Sequence, residues 1–276
     1  MNKEEVKTLQ QYELAILKNV HAVCVKNNLR YYLIGGTALG AVRHKGFIPW
    51  DPDIDIAMPR EDYDKFIDIS GNQLDSQYKC VTYRELKNYI PPHAVVYDRN
   101  TRLEQRKKDY FRDELRPTGV YIDIMPLDVA PSDGKSQIKH SKKIRLIRKV
   151  RSFKIFSFGK DRNFVIQTLR FSLKIVLSMV SMHWLNKKMD AEFRRYGNIS
   201  RPEYWCSMAS HYSYQKQCMP IEIYGTPTLI QFEDDFFYAP EKVDDYLRRI
   251  YGDYMTLPPI AAQERMWNHF VSFKHW

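Results

Sequence analysis

The chain has 276 residues, 44% of them hydrophobic and 14% aromatic, with a formal net charge of +10. That composition is enough to bury a core of ordinary size and excludes a wholly disordered chain. The four cysteines, Cys24, Cys80, Cys206 and Cys218, show no CxxC spacing, which argues for buried thiols and against a zinc site or a disulfide framework.

Taken in chain order, residues 3–28 read as a charged amphipathic helix with Val6, Leu9, Ile16, Val20 and Val23 on one side. This start lacks the apolar core of a secretory signal, so the cytoplasm is the expected compartment. A strand is expected over 30–35, followed by the turn Gly35-Gly36-Thr37, a short helical stretch from Ala38 to Arg43, and a strand over 53–58 that carries Asp53-Ile54-Asp55. A helix at about 60–69 follows Pro59, and further strands are expected at 78–83, 93–98 and 119–124. The loop 131–136 marks the edge of the sheet, and helices run from there to about 197. The last third is rich in Tyr and Trp, with strand-like segments at 218–224 and 228–238 and a helix at about 241–251. This interleaving predicts an α+β fold, a mixed sheet flanked by helices.

The positive charge is concentrated. Residues 135–162 hold eleven Lys or Arg against the single acid Asp161, so the rest of the chain is close to neutral. The following stretch, 164–185, is apolar apart from Gln167, Arg170, Lys174, Ser178 and Ser181, which recur every three to four residues as a polar stripe. A helix of that kind lies in an interface, packed on the rest of the protein with its stripe in water or resting on an anionic membrane surface, with a membrane span as the third reading of so long a stretch. No helix-turn-helix, zinc-finger or RNA-binding motif accompanies the basic run, so nucleic acid is not an expected partner.

The chemistry is carried by the stretch 33–59. Alternate residues of a strand share a face, so Asp53 and Asp55 point one way while Ile54 and Ile56 point into the core. Two carboxylates so placed suit a hard cation, Mg²⁺ or Mn²⁺, held together with substrate phosphates. Gly35, Gly36 and Thr37, eighteen residues upstream, are placed to offer backbone N–H groups and a hydroxyl to those phosphates. The order strand, Gly-Gly turn, short helix, Asp-x-Asp strand has the shape of a nucleotidyltransferase-fold active site. Asp123, inside the apolar run Val120 to Pro126, is the natural third carboxylate, as a metal ligand or as the base toward an acceptor hydroxyl. Arg43 and Lys45 are candidate sources of positive charge, and Arg43 reads equally as a helix-end cation. Trp50 reads as a packing residue or a stacking platform, and Asp51 as a water-mediated ligand or a turn cap.

The residues from Gly35 to Asp51, GGTALGAVRHKGFIPWD, resemble the signature of the LicD family, which includes phosphorylcholine transferases of bacterial surface glycans and fukutin-type ribitol-phosphate transferases. Asn100-Thr101, Val120 to Asp128, Tyr251 to Met255 and Leu257-Pro258-Pro259 extend the likeness over most of the chain. Many relatives carry three consecutive acids after the Trp, whereas here Asp51-Pro52-Asp53 interrupts them with a proline. The resemblance implies a nucleotidyltransferase-like catalytic core at 1–130, a helical insertion at 131–197, and an aromatic-rich C-terminal lobe at 198–276 that returns to cover the site. It also implies transfer of a phosphoalcohol, with phosphorylcholine the leading candidate, from a CDP-activated donor to a sugar hydroxyl of a cell-surface glycan or lipid-linked precursor. CMP is the expected leaving group. CDP-ribitol, CDP-glycerol or another nucleotide donor is the alternative at the same site, and a non-catalytic scaffold of a glycan-assembly complex is the alternative of another class. Such an enzyme is expected at the inner membrane face, as a peripheral protein.

Overall fold

The computed structural model describes residues 3–86, 88–105, 117–155, 168, 172, 175–177, 179–260, 263 and 270–275. Helix α1 (Lys3–Lys26) opens with Glu4 and Glu5 and closes with Lys26, charges that match the helix dipole. It buries Leu9, Ile16, Leu17 and Val20 completely. Strand β1 (Tyr32–Leu33) leads into α2 (Gly35–His44), and β2 (Asp55–Pro59) into α3 (Arg60–Gln73). Strands β3 (Tyr78–Val81), β4 (Ala94–Asp98), β5 (Thr101–Gln105) and β6 (Tyr121–Ala130) come next, followed by α4 (Gly134–Ile155) and α5 (Met182–Phe193). The remainder comprises β7 (Tyr204–Cys206), the short helices α6 (Tyr214–Gln217) and α7 (Ile221–Tyr224) on either side of β8 (Cys218–Pro220), the hairpin β9 (Thr228–Phe232) and β10 (Asp235–Ala239), helix α8 (Val243–Tyr251), and β11 (Phe270–His275).

The main sheet has the order β1-β2-β6-β4-β3, extended by β7 on β6 and β8 on β7. Its pairs are antiparallel except β2 with β6, which run parallel with Asp55 opposite Asp123. The long β6 is the hinge of the architecture, since its first half pairs with β4 and its last three residues with β7. A strand with neighbours on both edges and helices over the sheet reads as a nearly unbroken apolar run, as Ile122, Ile124, Met125 and Leu127 do here. The α+β fold expected from the sequence is the fold observed.

Some boundaries differ for identifiable reasons. Helix α2 starts at Gly35, three residues before the expected Ala38, because Gly35 takes a φ of 56° at the strand-to-helix corner and lets the helix begin at once. Asp53 precedes the strand, whose first residue is Asp55. The segment 218–224 is a three-residue strand followed by a helical turn, and 228–238 folds back on itself as the β9–β10 hairpin. Cys24, Cys206 and Cys218 are buried thiols and Cys80 is half-buried.

Ten of the 22 residues of the polar-striped segment 164–185, including Gln167, Arg170, Lys174 and Ser178, lie outside the described residues, as does Lys87. Among the described residues, no helix is long and apolar enough to cross a membrane. The basic helix α4 divides its charges between two faces. Arg151 is 5% exposed and donates to the Ile90 carbonyl, and Arg148 donates to the carbonyls of Met208 and Ser210. Lys139, Lys142, Arg145 and Lys149 stay outside with Ile138 and Leu146. The run counted as one block of charge in the sequence is therefore partly an internal clamp.

Candidate active site

Asp53 and Asp55 reach the same cavity, while Ile54 and Ile56 are 1% and 0% exposed beneath them. The cavity has a volume of about 560 Å³. Gly35, Gly36, Leu39 and Arg43 from α2 form one side, Trp50 and Asp51 join the two aspartates, and Ser210, His211, Tyr212 and Gln217 lie opposite. Tyr251, Asp253, Tyr254 and the run Thr256 to Pro259 complete the rim. Residues far apart in the chain thus meet around one carboxylate group.

Close packing explains the two glycines. A Cβ at Gly35 would stand 3.2 Å from Asp55 Oδ2, on a backbone already in the left-handed region, and a Cβ at Gly36 would run into Asp51 Oδ2. The Gly35 N–H is not free for a ligand, since it donates to the Tyr246 hydroxyl at 3.0 Å and so ties α8 to the corner. Thr37 is buried outside the cavity lining. Its hydroxyl accepts from the Asp55 N–H at 2.8 Å and faces the Asp53 carbonyl at 3.4 Å, locking the helix start to the aspartate strand. Gly36 remains at the cavity wall in the first turn of α2, where unsatisfied N–H groups and the helix dipole favour an anion.

Arg43 lines the cavity and donates to the Tyr254 carbonyl at 2.7 Å. Its pKa is lowered by burial, with partial compensation from Tyr251. Lys45 is exposed, lies outside the cavity lining and caps α2 at a φ of 62°, with its carbonyl accepting from the Glu233 N–H at 2.7 Å. Trp50 is 8% exposed, with His44 edge-on to its ring at 5.9 Å. It is packed as well as facing the cavity.

Asp123 sits beside Asp55 across the parallel pair, so the two side chains leave the sheet on the same face. Its Oδ1 is 2.9 Å from His93 Nε2. Asp123 does not line the cavity with Asp53 and Asp55, and among the described residues no three His, Cys, Asp or Glu side chains converge closely enough to make a complete cation site. A cation here would complete its coordination with oxygens from water or substrate.

The electrostatics show the strain of gathering these acids. Burial, followed by the charges of Asp123, Asp53 and Asp51, pushes the Asp55 pKa well above the ordinary carboxylate value. Glu13 on α1, which the sequence reading passed over, is raised in the same way by burial and then by Asp53, Asp51, Asp123 and Asp55. It is 2% exposed, and among the described residues its Oε2 has no hydrogen-bond partner. One turn earlier, Gln10 Nε2 reaches the Ile48 and Asp51 carbonyls, so α1 supports the acidic turn from below. A divalent cation relieves this kind of crowding by favouring the ionised carboxylates. The donor set, oxygen throughout, fits Mg²⁺ or Mn²⁺.

The family model described as LicD/FKTN/FKRP, nucleotidyltransferase domain, matches residues 28–150, which hold α2, the aspartate strand and Asp123. That class of domain is the one this sheet and its carboxylates define. Lipopolysaccharide cholinephosphotransferase LicD of Haemophilus influenzae is 33% identical over 269 residues, 96% of each chain. An uncharacterized protein of Rickettsia typhi is 42% identical over 86 residues, 31% of this chain and 26% of that one, and one of Rickettsia prowazekii is 48% identical over 77 residues, 28% and 26%. The chain belongs to the LicD family and is an enzyme of the phosphotransferase class.

Proposed function

We propose that this protein transfers phosphorylcholine from CDP-choline to a sugar hydroxyl of a lipopolysaccharide-type glycan precursor, releasing CMP. The supporting observation is its similarity along 96% of its length to a lipopolysaccharide cholinephosphotransferase, with Gly35, Gly36, Asp51, Asp53 and Asp55 falling in one cavity. In the reaction the acceptor oxygen attacks the phosphorus that bears choline, the bond from that phosphorus to the CMP oxygen breaks, and CMP leaves as the anion. When bound, Mg²⁺ or Mn²⁺ neutralises charge on the donor diphosphate and the departing CMP.

The chain's own groups have separate tasks. Asp53 and Asp55 hold the cation jointly with donor oxygens. The Gly36 end of α2 and Arg43 face the equatorial phosphoryl oxygens. Asp123, in register beside Asp55 across β2 and β6, is the base for the hydroxyl proton. The rings of Tyr212, Tyr251 and Tyr254, all in the cavity, offer π faces to a trimethylammonium group. Purified protein given a panel of CDP-choline, CDP-ribitol and CDP-glycerol is expected to release CMP from CDP-choline fastest, to stop in EDTA and to recover with Mg²⁺ or Mn²⁺. Preference for another donor rejects the choline assignment, and turnover indifferent to EDTA rejects the metal.

We also assign the protein to the anionic inner face of the membrane as a peripheral enzyme, through the outer side of α4. Ile138 and Leu146 are 50% and 63% exposed there among Lys139, Lys142 and Lys149. Apolar side chains interleaved with lysines give the two weak signals that surface attachment needs, each basic residue contributing about 1 kcal/mol. The protein is expected to co-sediment with anionic liposomes at low salt and to be released as salt rises. Replacing Lys139, Lys142 and Lys149 together by Gln should weaken that binding by at least tenfold. A wild-type protein that stays in the supernatant at low salt rejects this attachment.

A further inference from the structure

A second cavity, of about 280 Å³, lies between α4 and the chain segment after β7. It meets the catalytic cavity at His211 and Tyr212, which line both. Its chemistry is the reverse of its neighbour's. Arg145 and Arg148 project from α4, Ser141 and Ser213 offer hydroxyls, and among the described residues its lining contains no acid. Arg148 is half-buried and bonded to two backbone carbonyls, and neither arginine has a carboxylate in ion-pair range among the described residues. The His211 ring, tilted against Tyr212 with centroids 4.1 Å apart, lies at the junction. Burial, and then the Arg148 charge, lower the pKa of His211, so the cavity bears its positive charge on the guanidinium groups.

Arg148 is half-buried without a counter-charge among the described residues and Arg145 stands exposed beside it, so an oxyanion is the ligand the pair suits, through paired N–H···O bonds. We propose that this cavity is an oxyanion subsite that holds a phosphate or carboxylate substituent of the acceptor glycan while its hydroxyl enters the catalytic cavity. This assignment rests on the transferase reading given above. The donor is a poor occupant on two counts. Its diphosphate belongs with the cation at Asp53 and Asp55, and its trimethylammonium end is repelled by Arg145 and Arg148. An acidic acceptor instead spans both cavities across the His211–Tyr212 wall, which aligns the hydroxyl and selects against neutral sugars.

The test has one arm without turnover. Full-length protein in EDTA, titrated calorimetrically with inorganic phosphate, is expected to show saturable binding that weakens at least tenfold in Arg145→Gln and is partly restored in Arg145→Lys. The control Lys135→Gln, at the exposed start of the same helix, should bind as wild type. Arg145 is chosen because it is exposed and makes no hydrogen bond among the described residues, so its loss spares the fold. Absence of saturable binding, or equal binding in Arg145→Gln, overturns the subsite. Because this arm needs no transferase activity, it fails or succeeds independently of the donor panel. In the second arm the acceptor is used intact, dephosphorylated, or carboxyl-reduced. The treatment that removes the bound substituent should raise the acceptor KM by at least tenfold in wild type and much less in Arg145→Gln, and so identifies phosphate or carboxylate. An acceptor KM that neither treatment changes overturns the assignment to the acceptor.

Discussion

Asp55→Asn is expected to lower CMP release by on the order of 10³-fold or more while leaving the protein as stable as wild type or more so. The two halves of this result have one cause. Asp55 is half-buried, and its desolvation and then the charges of Asp123, Asp53 and Asp51 disfavour its ionised form. An amide keeps the shape and removes the repulsion, so the metal-free protein is relieved. The same change removes a charged ligand from the cation. Asp53→Asn should lose activity in like measure with a smaller effect on stability, because Asp53 is exposed. CMP-release assays and thermal melts in EDTA check both variants. Turnover near wild type in Asp55→Asn rejects the proposed cation site, and a lower melting temperature would mean that the loss of activity reflects damage to the fold.

Local pattern carried much of this into view from the sequence. The alternation Asp53-Ile54-Asp55-Ile56 states which side chains face the core, and both isoleucines are buried as that alternation requires. Asp123 was legible as an acid in an otherwise apolar strand. What local pattern could not convey was pairing. The parallel register that sets Asp123 beside Asp55, and the histidine at 2.9 Å from it, depend on β4 and β6 meeting, and His93 carries no local mark of that.

Glu13 is different, because its signal was present. It falls on the stripe Leu9, Ile16, Leu17 and Val20 at helical spacing, and a carboxylate on the apolar side of an amphipathic helix is costly unless something answers it. The glycines show the opposite case, a correct emphasis with a different mechanism. Gly35 and Gly36 make room for Asp55 and Asp51 to approach the helix start, and the Gly35 N–H serves Tyr246. The basic run misled in a third way. Charge counts ignore direction, and Arg148 and Arg151 turn inward to backbone carbonyls.

Arg60→Met is expected to destabilise the protein by about 3–5 kcal/mol, the cost of leaving a buried carboxylate without its partner. Asp128 is 1% exposed, and its two oxygens receive Arg60 Nε and Nη2 at 2.7 and 2.6 Å. Burial opposes the Arg60 charge, but Asp128 and Asp190 outweigh it and hold the guanidinium pKa above its ordinary value. Arg60 also reaches Asp190 at 3.1 Å, Asp190 accepts from Tyr83 and Arg194, and Arg194 binds Asp64 through both terminal nitrogens. One network thus joins α3, β6 and α5. Asp128→Ala should cost less, because the stranded arginine keeps Asp190. The double variant Arg60→Met with Asp128→Leu should recover most of the single loss, since a buried ion pair replaced whole by apolar side chains leaves no orphan charge. Asp123 and Asp128 are five residues apart on β6 and leave the sheet on opposite faces, so this network touches the catalytic cavity only through the backbone. Denaturant unfolding of the three variants checks the ordering, and single variants within about 0.5 kcal/mol of wild type would show that the network contributes no more than ordinary surface pairs.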